Sequence, residues 1–218
     1  MHLVRRSMYF VFDVETKGLP LSNPQSKFRF PHYKQLKRYD PARLQSISWI
    51  VANEDGEKVK QESFIIRPLD FIIDNNSRAT QIHGITKEIA EEKGVPFHTM
   101  YEKFYEDLCD CKTLVAHNIQ FDVSILLSEM YRYNMMDGIN EFMDKNRICT
   151  MKYGKIASGM SKNPKLSELY KHFYNEEMEN AHDATFDTLY CYKCLVELLK
   201  IPDVSEAMNQ PYQPKKTE

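Results

Sequence analysis

The sequence predicts an α/β domain: a mixed five-stranded sheet, hairpin strands first and parallel strands after them, with helices on both faces. Three observations carry this. The run Met8 to Glu15 is apolar or aromatic at six positions and reads as a central strand covered on both faces. Two further strand patterns flank the turn signal Asp55-Gly56. Beyond them, short strand-like runs alternate with helical apolar stripes, which is how a sheet flanked by helices is written.

Length and charge set the limits. At 218 residues the chain suits one well-packed domain, expected over 1–200, and the proline- and lysine-containing stretch 201–218 is expected to be a flexible tail. Lys and Arg number 29 against 31 Asp and Glu, a net charge of −2, so any contact with nucleic acid must be local. Met1 to Ser7 lacks an apolar signal region, and no apolar run reaches membrane-spanning length. The expectation is a cytosolic or nuclear protein, not a secreted or membrane one. Five cysteines, an odd number, argue against a disulfide framework. Cys109 with Cys111, and Cys191 with Cys194, read as core thiols rather than a zinc site, because the second pair falls inside a helical pattern.

Taken in order, the first strand ends at Thr16-Lys17-Gly18-Leu19-Pro20. The stretch 21–44 reads as an insertion. Lys27, Arg29, Lys34, Lys37, Arg38 and Arg43 face a single acid, Asp40, and Phe28, Phe30, Tyr33 and Tyr39 are interleaved among them. Its prolines oppose a long helix. The second strand is expected from Gln45 to Asn53 and the third from Val59 to Arg67, joined as a hairpin by a two-residue turn at Asp55-Gly56. Ala79 to Gly84 predicts a helical turn closed by its glycine, and Thr86 a helix N-cap. Phe97 to Cys109 carries a clear helical stripe. Thr113 to Ala116 is a short strand, 121–133 a helix, 147–150 a last strand, and 166–173 and 183–199 are helices.

Four acids stand where such a pattern should be apolar. Asp13 and Glu15 are two apart on a strand, so both point the same way. Asp122 shares a helix face with Ile125 and Leu126, and Asp187 shares one with Cys191 and Leu195. A first-turn carboxylate at Asp122 is also explained by the helix dipole alone. Gathered together, the four would repel unless protons or cations intervene. Oxygen-only ligands favour a pair of hard divalent cations, Mg²⁺ or Mn²⁺, over zinc, and such a pair supports hydrolysis. His182, five residues before Asp187, has a side chain whose ordinary pKa suits proton transfer; a solvated histidine at a helix start is the plainer reading.

These residues resemble a known family. Asp13-Val-Glu15-Thr-Lys-Gly-Leu19, His117-Asn-Ile-Gln-Phe-Asp122 and His182-Asp-Ala-Thr-Phe-Asp187 are similar, in order and spacing, to the three motifs of the DnaQ-like 3′–5′ exonucleases of the DEDDh group. Ile82-His-Gly-Ile-Thr86 resembles a segment that proofreading subunits carry between the first two motifs. The resemblance covers roughly Met8 to Leu199. It implies an RNase H-like fold and hydrolysis of the terminal phosphodiester at a nucleic-acid 3′ end. It implies Asp13, Glu15, Asp122 and Asp187 as metal ligands and His182 as general base. It further implies Thr16, Lys17, Gly18, Leu19 and His83 as contacts to the terminal nucleotide, with Asn118 and Phe121 shaping the site. DNA is the favoured substrate and RNA the alternative; a polymerase partner is not indicated.

Three features depart from the family's pattern. Lys17 stands where a small polar residue is common. Arg78 stands where proofreading members can carry an acid. The insertion is longer than the usual connection. Its Lys34, Lys37 and Arg38 are candidate contacts to a single strand, through phosphate attraction beside stacking rings. The competing reading is a surface loop whose aromatics pack on the core. A non-catalytic nucleic-acid-binding module and a metal-dependent nucleotide phosphatase are the alternatives from other functional classes.

Overall fold

The computed structural model describes residues 7–22, 30–179 and 182–210. Its five strands are β1 (Ser7–Thr16), β2 (Leu44–Asn53), β3 (Lys58–Ile65), β4 (Thr113–Ala116) and β5 (Asn146–Cys149). They lie in the order β3-β2-β1-β4-β5. The first three are antiparallel, and β4 and β5 are parallel to β1. The predicted mixed sheet is therefore the observed one.

β1 is covered on both faces because its residues alternate between two cores. Phe10, Phe12 and Val14 face one side, with Trp49, Leu114 and residues of α3 (Phe97–Asp110), α4 (Gln120–Arg132) and α5 (Met136–Asp144). Tyr9 and Val11 face the other, with Ile50, Val115, Ile148 and the stripe Cys191, Leu195 and Leu198 of α8 (Ala184–Leu199). Asp13 and Glu15 share the parity of Tyr9 and Val11 and so point to the α8 side.

The connections differ from expectation at several points. Asp55-Gly56 does not make a two-residue turn. Asn53 Oδ1 accepts from the amides of Asp55 and Glu57, and Gly56, at φ 79°, donates to the Asn53 carbonyl, so the turn is wider. β3 ends at Ile65, short of the expected Arg67, and the chain leaves β2 after Ile66 N donates to Gln45 O at 2.8 Å. Arg67 N instead donates to Val95 O at 2.8 Å, beside a lone parallel bridge of Ile66 with Val95. The short helices α1 (Arg78–His83) and α2 (Lys87–Lys93) are closed and capped as predicted, by Gly84 at φ 72° and by Thr86.

Three helices escape the sequence pattern: α5, α6 (Thr150–Ser158) and α9 (Pro202–Met208). In α5 the stripe is interrupted by Gly138, where any side chain would collide with the Tyr101 ring. α6 follows β5 with no loop, so Thr150, expected in the strand, opens the helix instead. α9 corrects the expected tail. Pro202 suits a helix's first position, and Val204 and Met208 pack into the α8-side core. Residues 211–218 lie outside the described ones. The remaining helix, α7 (Leu166–Tyr174), packs on α8 around Leu169, Tyr170 and Tyr190. Cys111, Cys191 and Cys194 are buried thiols as expected, whereas Cys109 is exposed. Among the described residues no helix is long and apolar enough to cross a membrane.

Candidate active site

The site exists because β4 is shorter than β1. The two pair only from Tyr9 to Val11, so beyond Val11 the β4 side of β1 has no ladder partner. β4 ends at Ala116, and the chain turns through Asn118 at φ 67°, a conformation asparagine tolerates, into α4. That turn brings Asp122, in the first turn of α4, round to the end of β1. On the other side the ladder continues, with Asp13 opposite Ser48 and Glu15 opposite Ser46. α8 is seated over this edge, where the Thr188 hydroxyl donates to Ser48 O at 3.2 Å. Asp187, one residue earlier, is thereby held over the same spot.

The electrostatics record the crowding. Burial drives Asp13 well above the usual carboxylate range, and the charges of Asp122, Glu15 and Asp187 push it further. Burial, then Asp187 and Asp122, raises Glu15 to about 8. Burial likewise raises Asp122 to about 8, although its own amide and that of Val14 favour the charged form. Asp187 is raised to about 6 by burial, against the pull of the His182 backbone. A fifth acid, Asp183, adds to the repulsion at Asp13, Glu15 and Asp187. Its Oδ1 caps α8 by accepting from Thr185 N. Sequence reasoning gave it no role, although its place beside His182 was a usable signal.

His182 stands at φ 70°, a costly conformation for a residue with a side chain. The twist lets its amide donate to Asp187 Oδ2 at 3.2 Å and leaves its ring exposed. A ring nitrogen of His182 and carboxylate oxygens of Glu15 and Asp187 lie within 4.8 Å of one another. Asp187 Oδ1 is buried with no hydrogen-bond partner among the described residues. Clustered oxygens, raised carboxyl pKa values and an orphaned acceptor suit hard divalent cations.

Glu15, Ile65, His83, Ile85 and His182 line an adjoining cleft, together with Ser63 and Thr185, whose hydroxyls hydrogen-bond at 2.9 Å. His83 Nδ1 accepts from Ile85 N at 3.1 Å, so its proton is on Nε2, which is buried and turned toward the Thr16 backbone without closing a well-formed hydrogen bond. Burial lowers its pKa. Thr16 donates to Gly18 O at 2.7 Å, Lys17 N donates to Arg43 O at 2.9 Å, and Leu19 projects at 72% exposure. Phe121 packs edge-on against Phe30 at 5.7 Å. His117 is engaged behind the site. Nε2 donates to Pro164 O, leaving Nδ1 to accept from Thr150, and burial lowers its pKa to about 4.

The insertion touches the site through Phe30, against Phe121, and through Arg43 O, while its lysines lie farther off. Tyr39 is buried with its hydroxyl on Pro31 O, Tyr33 packs on Tyr131, and Lys34 sits 5.8 Å from the Tyr131 ring. Tyr131 is nine residues beyond Asp122, about 13 Å along α4. Arg38 donates to the carbonyls of Leu21 and Ser22, which holds the loop together. Arg43, counted among the basic residues of this stretch, is buried in ion pairs. The packing reading thus applies to the described aromatics, while Lys34 and Lys37 remain exposed. Lys27, Phe28 and Arg29 lie outside the described residues.

A mixed sheet whose central strand ends in two inward acids, met by one acid from each of two helices, defines the class of DnaQ-like exonuclease domains with an RNase H-like fold. The chain belongs to the exonuclease family RNase_T, whose model matches residues 10–195. No curated protein sequence matches it significantly. Among solved structures, the zinc-bound complex of E. coli exonuclease I with single-stranded DNA matches at a TM-score of 0.70 and 20% identity, over 93% of this chain and 42% of that one. E. coli exonuclease I with a dT13 oligonucleotide gives 0.69 and 20%, over 93% and 43%. Exonuclease I from Methylocaldum szegediense gives 0.66 and 16%, over 90% and 41%. The chain spans less than half the length of these exonuclease I chains, and at such identities the likeness establishes the fold.

Proposed function

We propose that this chain is a metal-dependent 3′–5′ exonuclease of the DEDDh type, releasing nucleoside 5′-monophosphates from DNA ends. The observation that carries this reading is the convergence of Asp13, Glu15, Asp122 and Asp187, from β1, α4 and α8, in a member of an exonuclease family. Those four residues would hold two divalent cations, Mg²⁺ or Mn²⁺. When bound, such ions supply a more acidic water and offset the charge gathering on the phosphate.

The chain's own groups account for the rest. His182, exposed beside Glu15 and Asp187, takes the proton of the attacking water. A P–O bond forms to that water oxygen while the bond to the 3′ oxygen of the preceding nucleotide breaks, and the leaving oxygen is protonated. Thr16 to Leu19 and the neighbouring His83 receive the terminal nucleotide, and Asn118 and Phe121 shape its surroundings. DNA is preferred because the exonuclease I structures of the same fold hold single-stranded DNA and because 82–86 resembles proofreading subunits.

The test is digestion of 5′-labelled DNA and RNA oligonucleotides of one sequence, single- and double-stranded, with Mg²⁺ or Mn²⁺. DNA shortened from its 3′ end is expected. Faster loss of RNA would install the RNA-trimming alternative, and no shortening of either would end the reading.

Two further outcomes follow. A Cβ at Gly18 would lie 2.9 Å from the Pro41 carbonyl, so Gly18→Ala must displace the nucleotide-holding loop. Its kcat/KM is expected to fall at least about tenfold, since small misplacements at a site are costly. Wild-type kinetics in that variant would remove the loop from the site. Lys34 and Lys37 offer charge to the 5′ continuation of a strand. The double change to Ala should raise KM and lessen the slope of log KM against log salt by about 1.4, two single-strand phosphate contacts at about 0.7 each. An unchanged slope would retire this contact.

A further inference from the structure

On the α4 side of the sheet lies an ion cluster that takes no part in the chemistry above. Arg43 is 3% exposed, a costly place for a guanidinium unless its N–H groups are met. Nε and Nη2 donate to Glu129 of α4 at 2.7 and 3.2 Å, and Nη1 and Nη2 donate to Asp70 at 3.0 and 2.8 Å. The Tyr133 hydroxyl adds a bond to Asp70 at 3.2 Å, and the guanidinium lies 4.6 Å from the centre of the Phe71 ring. Two forked pairs on one guanidinium fix direction as well as distance, which a lysine does not.

Each branch leads to part of the site. The Arg43 carbonyl accepts from Lys17 N, directly after Thr16, and the neighbouring Pro41 carbonyl bounds Gly18. Glu129 lies two turns beyond Asp122 on α4 and also accepts from Leu44 N. Asp70 lies in the segment that runs to His83, itself tied down where Thr80 donates to Asp74 O and Lys87 N to Asn75.

We propose that Arg43, acting through Asp70, is a positioning residue for the exonuclease reaction. It fixes the Thr16–Leu19 loop and the His83 segment relative to each other. The inference rests on the exonuclease reading given above.

Asp70 is the place to test it. Arg43 variants would strand the buried Glu129 charge and unfold for that reason alone. Asp70 is 45% exposed, so its removal leaves the Arg43–Glu129 pair whole. Asp70→Ala is expected to raise amide exchange over 74–85 and to raise KM, each about tenfold, while Tm moves by no more than about 3 °C. Asp70→Glu, which can rebuild the fork, is expected to recover both. Wild-type exchange and wild-type KM in Asp70→Ala would overturn the proposal. So would a loss of activity matched by a large fall in Tm that Asp70→Glu does not restore. A wild-type chain inactive on every oligonucleotide would defeat the exonuclease reading, while the exchange measurement would still decide the positioning claim.

Discussion

Asp13→Asn is expected to lower exonuclease activity at least about a thousandfold, some 4 kcal/mol of lost transition-state stabilisation. The same change is expected to raise the Tm of the metal-free protein. Asp13 is the most crowded of the acids: burial, Asp122, Glu15, Asp187 and Asp183 all disfavour its charge. An amide of equal shape removes that repulsion and keeps the packing. Loss of activity with gain of stability is the signature of a group kept for its chemistry at the fold's expense. Side-by-side kinetics and thermal melts in EDTA check both halves. A stable, fully active Asp13→Asn protein would exclude this residue from the reaction, and a destabilised one would make it a structural acid.

Divalent ions should stabilise the protein, and more so as pH rises. Glu15 and Asp122 are raised to about 8 and Asp187 to about 6. A carboxyl whose folded-state pKa lies above its unfolded one binds protons more tightly in the fold. Its contribution is fully present below the unfolded value and is lost as pH climbs through the folded value. From about pH 5 to about pH 8, then, these groups should cost the metal-free chain stability. Bound cations take the place of those protons. At an ion concentration about 100 times Kd the gain is about 2.7 kcal/mol, or some 5–10 °C in Tm for a chain of this size. Thermal melts with EDTA, Mg²⁺ and Mn²⁺ at pH 5.5 and pH 8 should show a larger metal effect at the higher pH. An effect independent of pH would separate ion binding from these carboxyls.

Much of this site was legible because strand and helix periods are rigid rulers. The two-residue spacing of Asp13 and Glu15 set their shared face, and the apolar neighbours of Asp122 and Asp187 gave away their inward aim. The same ruler found the five strands and the long helices α3, α4 and α8 that cover them. It failed where the determining contact is distant. Gly138 breaks a stripe for the sake of Tyr101, and α9 is held by burial of two residues in a stretch that otherwise reads as a tail. Nor could local pattern show that Arg43, one basic residue among several, meets Glu129 and Asp70 from far along the chain. The insertion's aromatics were equally ambiguous until Tyr33 and Tyr39 were seen to pack inward.

The central claim is that inward carboxylates at the end of β1 form a divalent-cation site that drives hydrolysis. Its most direct test is to follow a 5′-labelled DNA oligonucleotide with protein stripped by EDTA, and then with excess Mg²⁺ or Mn²⁺ restored. The strand should stay intact in EDTA, and a ladder of 3′-shortened products with nucleoside 5′-monophosphates should appear after the ions return. An undiminished ladder in EDTA would contradict it.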